Sequence, residues 1–485
     1  MLFNTYEFLF AFLPATCLVG WFLLARNATR LAIIWLFVAS LVFYGSWSAE
    51  AIPLLLASAL FNYGSGAAIE HAERHRKALL GLAVGCNLLL LGYFKYSNFL
   101  VENLAPLLGL TPGTRLDIEL PPGISFFTFT QIAYLVDTYQ RKTHERRPEA
   151  YGLFVTFFPH LVAGPILHHR AMMSQFTRLG RHSINAEVLA VALGFLLIGL
   201  FKKVVLADGI APYVGPVFDA ARDGKPLTAV AAWVGSLAYT FQLYFDFSGY
   251  SDMAIGLAYL FGVRFPVNFN SPYRALNIIE FWRRWHMTLS RFLRDYLYFP
   301  LGGNRKGSSR RSVNLMLTML LGGLWHGAGW TFIVWGGLHG VYLLVNHAWQ
   351  GSGRRMPGIV AGPLTFVAVV CAWVFFRADN LHAAGNLLQA MFSLNATRAD
   401  IAEALPADVA TRLAILAAIA FLLPNTQQFF ARAYTPVETE GPQPTPLPHR
   451  WAWKPTAPYA IGIAALGVTA LLLMGRVSEF IYYQF

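Results

Sequence analysis

Hydrophobic positions in this chain come in long blocks rather than in alternation, and the blocks set the elements. Windows of about twenty mostly apolar residues suffice to cross a bilayer core as helix. They recur at 4–25, 30–47, 51–69, 78–101, 122–139, 183–207, 226–248, 328–349, 359–376, 409–424 and 458–476. Shorter apolar runs lie at 151–167, 250–262 and 312–325. The first of these overlaps "FFPHLVAGPILHHR", which carries Pro159, Gly164 and Pro165. Non-helical backbone at membrane depth is tolerated only where protein or a water-filled cavity satisfies it, so this run predicts a broken or re-entrant segment. The same expectation extends to 250–262 and to the glycine-laden "LLGGLWHGAGW". The pattern predicts an all-α polytopic membrane protein, with about 11–13 transmembrane helices and broken segments around an internal cavity. The long polar connection at about 425–457, with "TPVETEGPQPTPLPHR", reads as a surface loop.

Composition agrees with the pattern: 56% of residues are hydrophobic and only 13% charged, against roughly 25% charged in a soluble domain. Charge placement then gives orientation. Arg26 and Arg30, "HAERHRK" (71–77) and "RKTHERR" (141–147) alternate with loops such as "SWSAEAIP" that lack Lys and Arg. The basic loops are therefore expected in the cytoplasm, with the amino terminus outside. No charged leader region or small-residue cleavage site precedes the first span, so no removable signal peptide is read.

Charge is densest from Arg264 to Arg311, where ten Lys or Arg residues face two acids, Glu280 and Asp295. One reading of "FWRRWHMTLSRFLRDYLYFPLGGNRKG" (281–307) is topological anchoring beside anionic headgroups. The other is an electrostatic mouth for a polyanionic ligand, with Arg283, Arg284, Arg305 and Lys306 as phosphate contacts. The glycine pair beside Asn304 would let backbone amides approach such a ligand. No nucleic-acid partner is expected of this patch.

Candidate chemistry rests on histidine. No GxSxG, HExxH or GxGxxG motif is present, and Cys17, Cys86 and Cys371 fall in separate apolar spans without metal spacing, so they read as packing residues. His326, in "LWHGAGW", is expected at membrane depth, where an ionisable residue is a functional hypothesis by default. His286 is the second candidate, within the basic stretch. His160 and His339 read as structural, and His71 with His75 as part of a solvated loop without a third metal ligand. In "LYFDFSGYSDMAIG" the acids Asp246 and Asp252, with Ser248, need partners in apolar surroundings. They either orient a catalytic imidazole, bind an acceptor hydroxyl, or pair with an arginine such as Arg274.

These motifs carry a resemblance. "RRWHMTLSRFLRDYLYFPLGGNRKG", followed by "LWHGAGWTFIVWGGLHG" with its histidine forty residues after His286, resembles the signature of the membrane-bound O-acyltransferase superfamily. "PPGISFFTFTQIAYLVD", "FFPHLVAGPILH", "YFDFSGYSDMAIG", "NFNSPYRA", "PNTQQ" and the terminal "FIYYQF" resemble its alginate O-acetylation branch, so the likeness covers nearly the whole chain. It implies a single membrane domain over 1–485, with the first histidine in a basic cytoplasmic segment (264–311) and the second in a membrane segment (312–349). It also implies an acyl donor reached from the cytoplasm, acetyl-CoA, with no permanently bound cofactor and no metal, and an acceptor outside. In the resemblance His326 is the principal residue of a catalytic funnel and His286 contributes. A neutral imidazole can take the proton of an acceptor hydroxyl, while His286, Trp325 and backbone amides near Gly327 are candidates to stabilise the oxyanion.

No outward loop reaches the roughly 50 residues of a separate domain. Alginate-type members work with periplasmic acetylation proteins, so a periplasmic acetyltransferase partner and an exported polysaccharide are expected, in a bacterial inner membrane. The competing readings are a transporter of an acyl carrier or lipid-linked sugar, for which no paired repeat is visible, and a D-alanyl or peptidoglycan acyltransferase of the same superfamily.

Overall fold

The computed structural model describes residues 1–105, 109, 115–144, 147–179, 184–393, 406–437, 446–448, 450–475 and 481. Much of the proline-rich loop and all but Ile481 of the terminal "IYYQF" lie outside the described residues. Among the described residues every regular element is helical. The apolar blocks become helices at Leu13–Ala25, Thr29–Ser48, Ile52–His71, Arg76–Leu104, Ile124–Tyr139, Ala186–Phe201, Trp330–Gly351, Gly358–Arg377, Ala407–Phe421 and Ala457–Leu473. Among the described residues five stretches are long and apolar enough to cross a membrane, and one of them, Thr29–His71, folds as two helices joined by a short 3-10 turn. Their apolar side chains remain exposed on the outside of the bundle, as at Leu60, Leu89 and Ile359, which is where lipid replaces water as the solvent.

The basic loops gather at one end of the bundle. Arg30 pairs with Glu149 at 2.9 Å, His144 Nδ1 lies 3.1 Å from Glu70, and Arg76 donates to the carbonyls of Thr138 and Tyr139. This end is the basic face. At the opposite end the Trp330 indole donates to Asn103 at 2.8 Å.

The broken segments fall partly where expected. Pro148–Thr156 is a short helix that gives way to turns through 157–164, and its backbone is paid for locally, since the Phe158 amide donates to Ser40 and Ile166 to Thr288. Two other expectations are corrected. Residues 250–259 continue one 31-residue helix, Ala229–Tyr259, because its polar run is satisfied from neighbouring helices. The glycines of "LLGG" lie inside the helix Gly307–His326, and the break comes only at Gly327–Gly329. Those helical glycines serve packing: a Cβ at Gly323 would collide with the Phe332 carbonyl, and one at Gly336 with that of Met319. Small residues thus let Gly307–His326 and Trp330–Gly351 approach as a tight hairpin.

Candidate active site

His326 is the last residue of its helix. Gly327 turns to extended backbone at φ −160°, a conformation open to any residue. What demands glycine there is space, since a Cβ would strike the Phe332 ring. The imidazole is buried against Trp325, Trp335 and Phe376, with ring centroids 4.9, 5.1 and 5.2 Å away.

His286 reaches the same place from another element. It precedes the helix Met287–Leu293 in the left-handed region, at φ 42° and ψ 54°, a conformation that non-glycine residues rarely hold without support. The support is Asn268. Its carbonyl accepts from Met287 N at 3.0 Å, and its side-chain oxygen accepts from Thr288 N and Oγ1 at 3.3 and 2.9 Å. The same oxygen lies 3.1 Å from His286 Nδ1, so Nδ1 carries the hydrogen and Nε2 the lone pair. The Asn268 amide group in turn donates to Ser251. The two imidazoles stand 6.5 Å apart between ring centroids, near enough for both to address one reacting group.

A cavity lies toward each end of the bundle, and neither is lined by His286 or His326. Toward the basic face, a cavity of about 540 Å³ is lined by Arg283, Arg291, Arg294, Met287 and Met319. Toward the opposite end, one of about 610 Å³ is lined by Glu50, Tyr93, Ser125, Phe126 and Val162. Phe126 lies edge-on to Trp325 at 5.5 Å, so one aromatic ring, that of Trp325, separates this lining residue of the second cavity from His326.

The remaining sequence candidates sort by geometry. Trp325 packs flat on Phe129 and beside His326, and its indole N–H meets no acceptor among the described residues. Arg283 is exposed on the basic-face cavity, whereas Arg284 is bound to Glu280 at 2.7 Å and to the Asn270 carbonyl. Asn304, Arg305 and Lys306 are exposed on the turn before the histidine helix. In that turn the glycine amides are already engaged: Gly302, Gly303 and Arg305 donate to the carbonyls of Phe299, Tyr298 and Gly302. The positive φ of both glycines, 112° and 55°, makes the turn.

Asp246 and Asp252 pair with lysines, not with Arg274 and not with either imidazole. Asp252 accepts from Lys202, Thr426 and Gln427, each at 2.6 Å. Asp246 pairs with Lys203 at 2.7 Å and accepts from the Ile481 amide. Arg274 instead caps the carbonyls of Ala420 and Leu423. Ser248 is buried, with no partner for its hydroxyl among the described residues. His160 binds the Phe154 carbonyl and His339 accepts from the Trp282 indole. Among the described residues no group of three or more His, Cys, Asp or Glu side chains could hold a metal.

Four residues that hold the imidazoles or the acids were missed. Asn268 lay inside a recognised motif but carries no charge to flag it. Lys202 and Lys203 sit within an apolar run. Lys95 sits in another, and there the signal existed, since any ionisable residue inside a span is suspect.

These features define an all-helical polytopic membrane protein with two neighbouring buried imidazoles and a cavity toward each face. The chain belongs to the membrane-bound O-acyltransferase family, MBOAT, whose model matches residues 124–381. It is 46% identical to the peptidoglycan O-acetyltransferase of Helicobacter pylori, over 81% of this chain and 80% of that one. To the probable alginate O-acetylase AlgI of Azotobacter vinelandii it is 39% identical over the full length of both. A teichoic acid D-alanyltransferase of Streptococcus thermophilus is 29% identical over 47% of this chain and 57% of that protein. The protein is therefore a multi-pass membrane O-acyltransferase.

Proposed function

We propose that the protein takes an acetyl group from acetyl-CoA at its basic, cytoplasmic face and passes it across the bacterial inner membrane for O-acetylation of an exported polysaccharide such as alginate. The observation that carries this reading is the pair of neighbouring buried imidazoles set between two cavities, one lined by Met287 beside His286 and the other by Phe126, which packs on Trp325. A donor and an acceptor can then meet at the imidazoles without either crossing the bilayer.

In the proposed reaction His326 takes the proton of the acceptor hydroxyl as its oxygen attacks the thioester carbonyl. The carbonyl oxygen becomes an oxyanion, for which the Trp325 indole N–H is the available donor; His286, its Nδ1–H given to Asn268, presents a lone pair at Nε2 and acts as a hydrogen-bond acceptor instead. As the tetrahedral species collapses, the C–S bond breaks and the imidazolium returns its proton to the thiolate. A placed base supplies roughly 10²–10⁴-fold, so polarisation of the oxyanion and alignment supply the rest. Arg283, Arg284, Arg305 and Lys306, with Asn304, hold the polyanionic end of the donor. Arg284 serves partly through Glu280, to which it is already bound.

The 46% identity to a peptidoglycan O-acetyltransferase favours peptidoglycan as a second acceptor reading. Both readings are tested first by acetyl-CoA consumption in purified protein. The wild type is expected to consume the donor, and His326→Ala to lose this while still purifying as a monodisperse species. Near-normal turnover by the variant would remove His326 from the reaction. No consumption by the wild type in the presence of its acceptors would favour a transporter.

A further inference from the structure

An α-helix ends with carbonyls that have no intrahelical partner. In the helix that carries His326 the last three, on Leu324, Trp325 and His326, are all met by two consecutive residues of the helix Arg76–Leu104. The Tyr96 hydroxyl donates to Leu324 at 2.8 Å, and the Lys95 ammonium donates to Trp325 and, at 3.1 Å, to His326. Lys95 is 9% exposed, and among the described residues no carboxylate pairs with it. Taking a lone ammonium into the bilayer interior is costly. Three carbonyl or hydroxyl oxygens and the negative end of a helix are what offset that cost here. Its remaining contact is Ser125 Oγ at 3.4 Å, and Ser125 lines the cavity opposite the basic face.

We propose that Lys95 is a positioning residue for acyl transfer: its ammonium clamps the last turn of the His326 helix and fixes the imidazole beside Trp325, against which Phe126 of the acceptor-side cavity packs. The clamp acts where the chain must leave the helix through Gly327–Gly329, so without it the turn that carries His326 is free to fray. This inference rests on the reading of His326 as the base. Because Lys95 faces the acceptor side and the donor cavity lies beyond Met287 and Met319, its loss acts on the chemical step and not on donor binding.

The test is steady-state acetyl-CoA turnover by purified Lys95→Met and Lys95→Gln, run beside His326→Ala and Asn103→Ala. A displacement of about 1 Å costs about a hundredfold, so Lys95→Met is expected to lose about 10- to 100-fold in kcat with the acetyl-CoA KM within about twofold. Lys95→Gln keeps two N–H donors and is expected to recover part of that loss. Asn103→Ala removes a different hydrogen bond of the Lys95 helix, from Trp330 at the start of the helix after His326, near the bundle end, and is expected to keep wild-type kcat. Wild-type kcat in Lys95→Met overturns the proposal, as does a loss in Asn103→Ala equal to that in Lys95→Met. If Lys95→Met does not purify, Lys95→Gln carries the test, and wild-type kcat there with thermal stability reduced would assign Lys95 to folding alone. Activity retained by His326→Ala would instead sink the underlying reading of the base, so the two failures are separable.

Discussion

At the residue scale, the site depends on side chains that hold the imidazoles as much as on the imidazoles themselves. His286 keeps a left-handed backbone because Asn268 binds it on one side and the start of the following helix on the other. Asn268→Ala removes the acceptor for Nδ1–H and frees the tautomer. It is expected to lower kcat by about 10- to 100-fold and to leave the acetyl-CoA KM little changed, by steady-state kinetics on protein with unaltered elution on gel filtration. An unchanged kcat would mean that the His286 orientation does not matter to the reaction. Of these residues His286 and His326 were legible in the sequence, because histidine between glycines or arginines in an apolar chain is conspicuous. Asn268 was not, since an asparagine in a polar loop has many uses and only its contacts distinguish them.

At the element scale, the longest helix, Ala229–Tyr259, carries two carboxylates through the core, and the apolar run at 186–207 ends in the lysines that answer them. Lys203 is 1% exposed and bridges Asp246 and Asp208 at 2.7 and 2.9 Å. Such a pair adds little by itself, but removing one partner strands the other, typically at about 3–5 kcal/mol. Lys203→Met is therefore expected to lower the melting temperature of the detergent-solubilised protein clearly, with the kcat of the surviving folded fraction close to wild type. A variant as stable as the parent would show that the carboxylates find other partners. The sequence announced that Asp246 and Asp252 needed partners, yet an arginine was as good a guess as a lysine. Hydropathy also split this helix near residue 249, because its polar run looks like a break until the partners on other helices are seen.

At the scale of the whole molecule, charge and cavities are arranged by side. Arg283, Arg305 and Lys306 are exposed toward the basic face without a salt bridge among the described residues. Arg305→Ala with Lys306→Ala is expected to raise the acetyl-CoA KM several-fold and flatten its salt dependence, because exposed charges are screened beyond about 8 Å at physiological ionic strength. Unchanged KM and salt response would leave the patch as a topological anchor only. The two-sided arrangement also bears on the partner. In vesicles with acetyl-CoA on the basic face and oligosaccharide on the other, donor hydrolysis or slow transfer is expected until a periplasmic acetyltransferase is added. Efficient O-acetylation by this chain alone would refute the need for one.

By itself the sequence determined the solvent, the helical class and the sidedness of the charge, and it singled out two histidines as candidates. Each of these is written in local composition and periodicity, which short stretches of chain carry without reference to the rest. Only the tertiary structure decided that the imidazoles lie 6.5 Å apart, that Asn268 binds one of them and Lys95 the helix end that carries the other, and that the acidic run pairs with lysines rather than with the imidazoles. Those facts join residues as far apart as Lys95 and His326 or Asp252 and Gln427. In a bilayer, interhelical partners are selected by packing and by the need to satisfy every buried polar group, and neither is expressed in the order of residues along one helix.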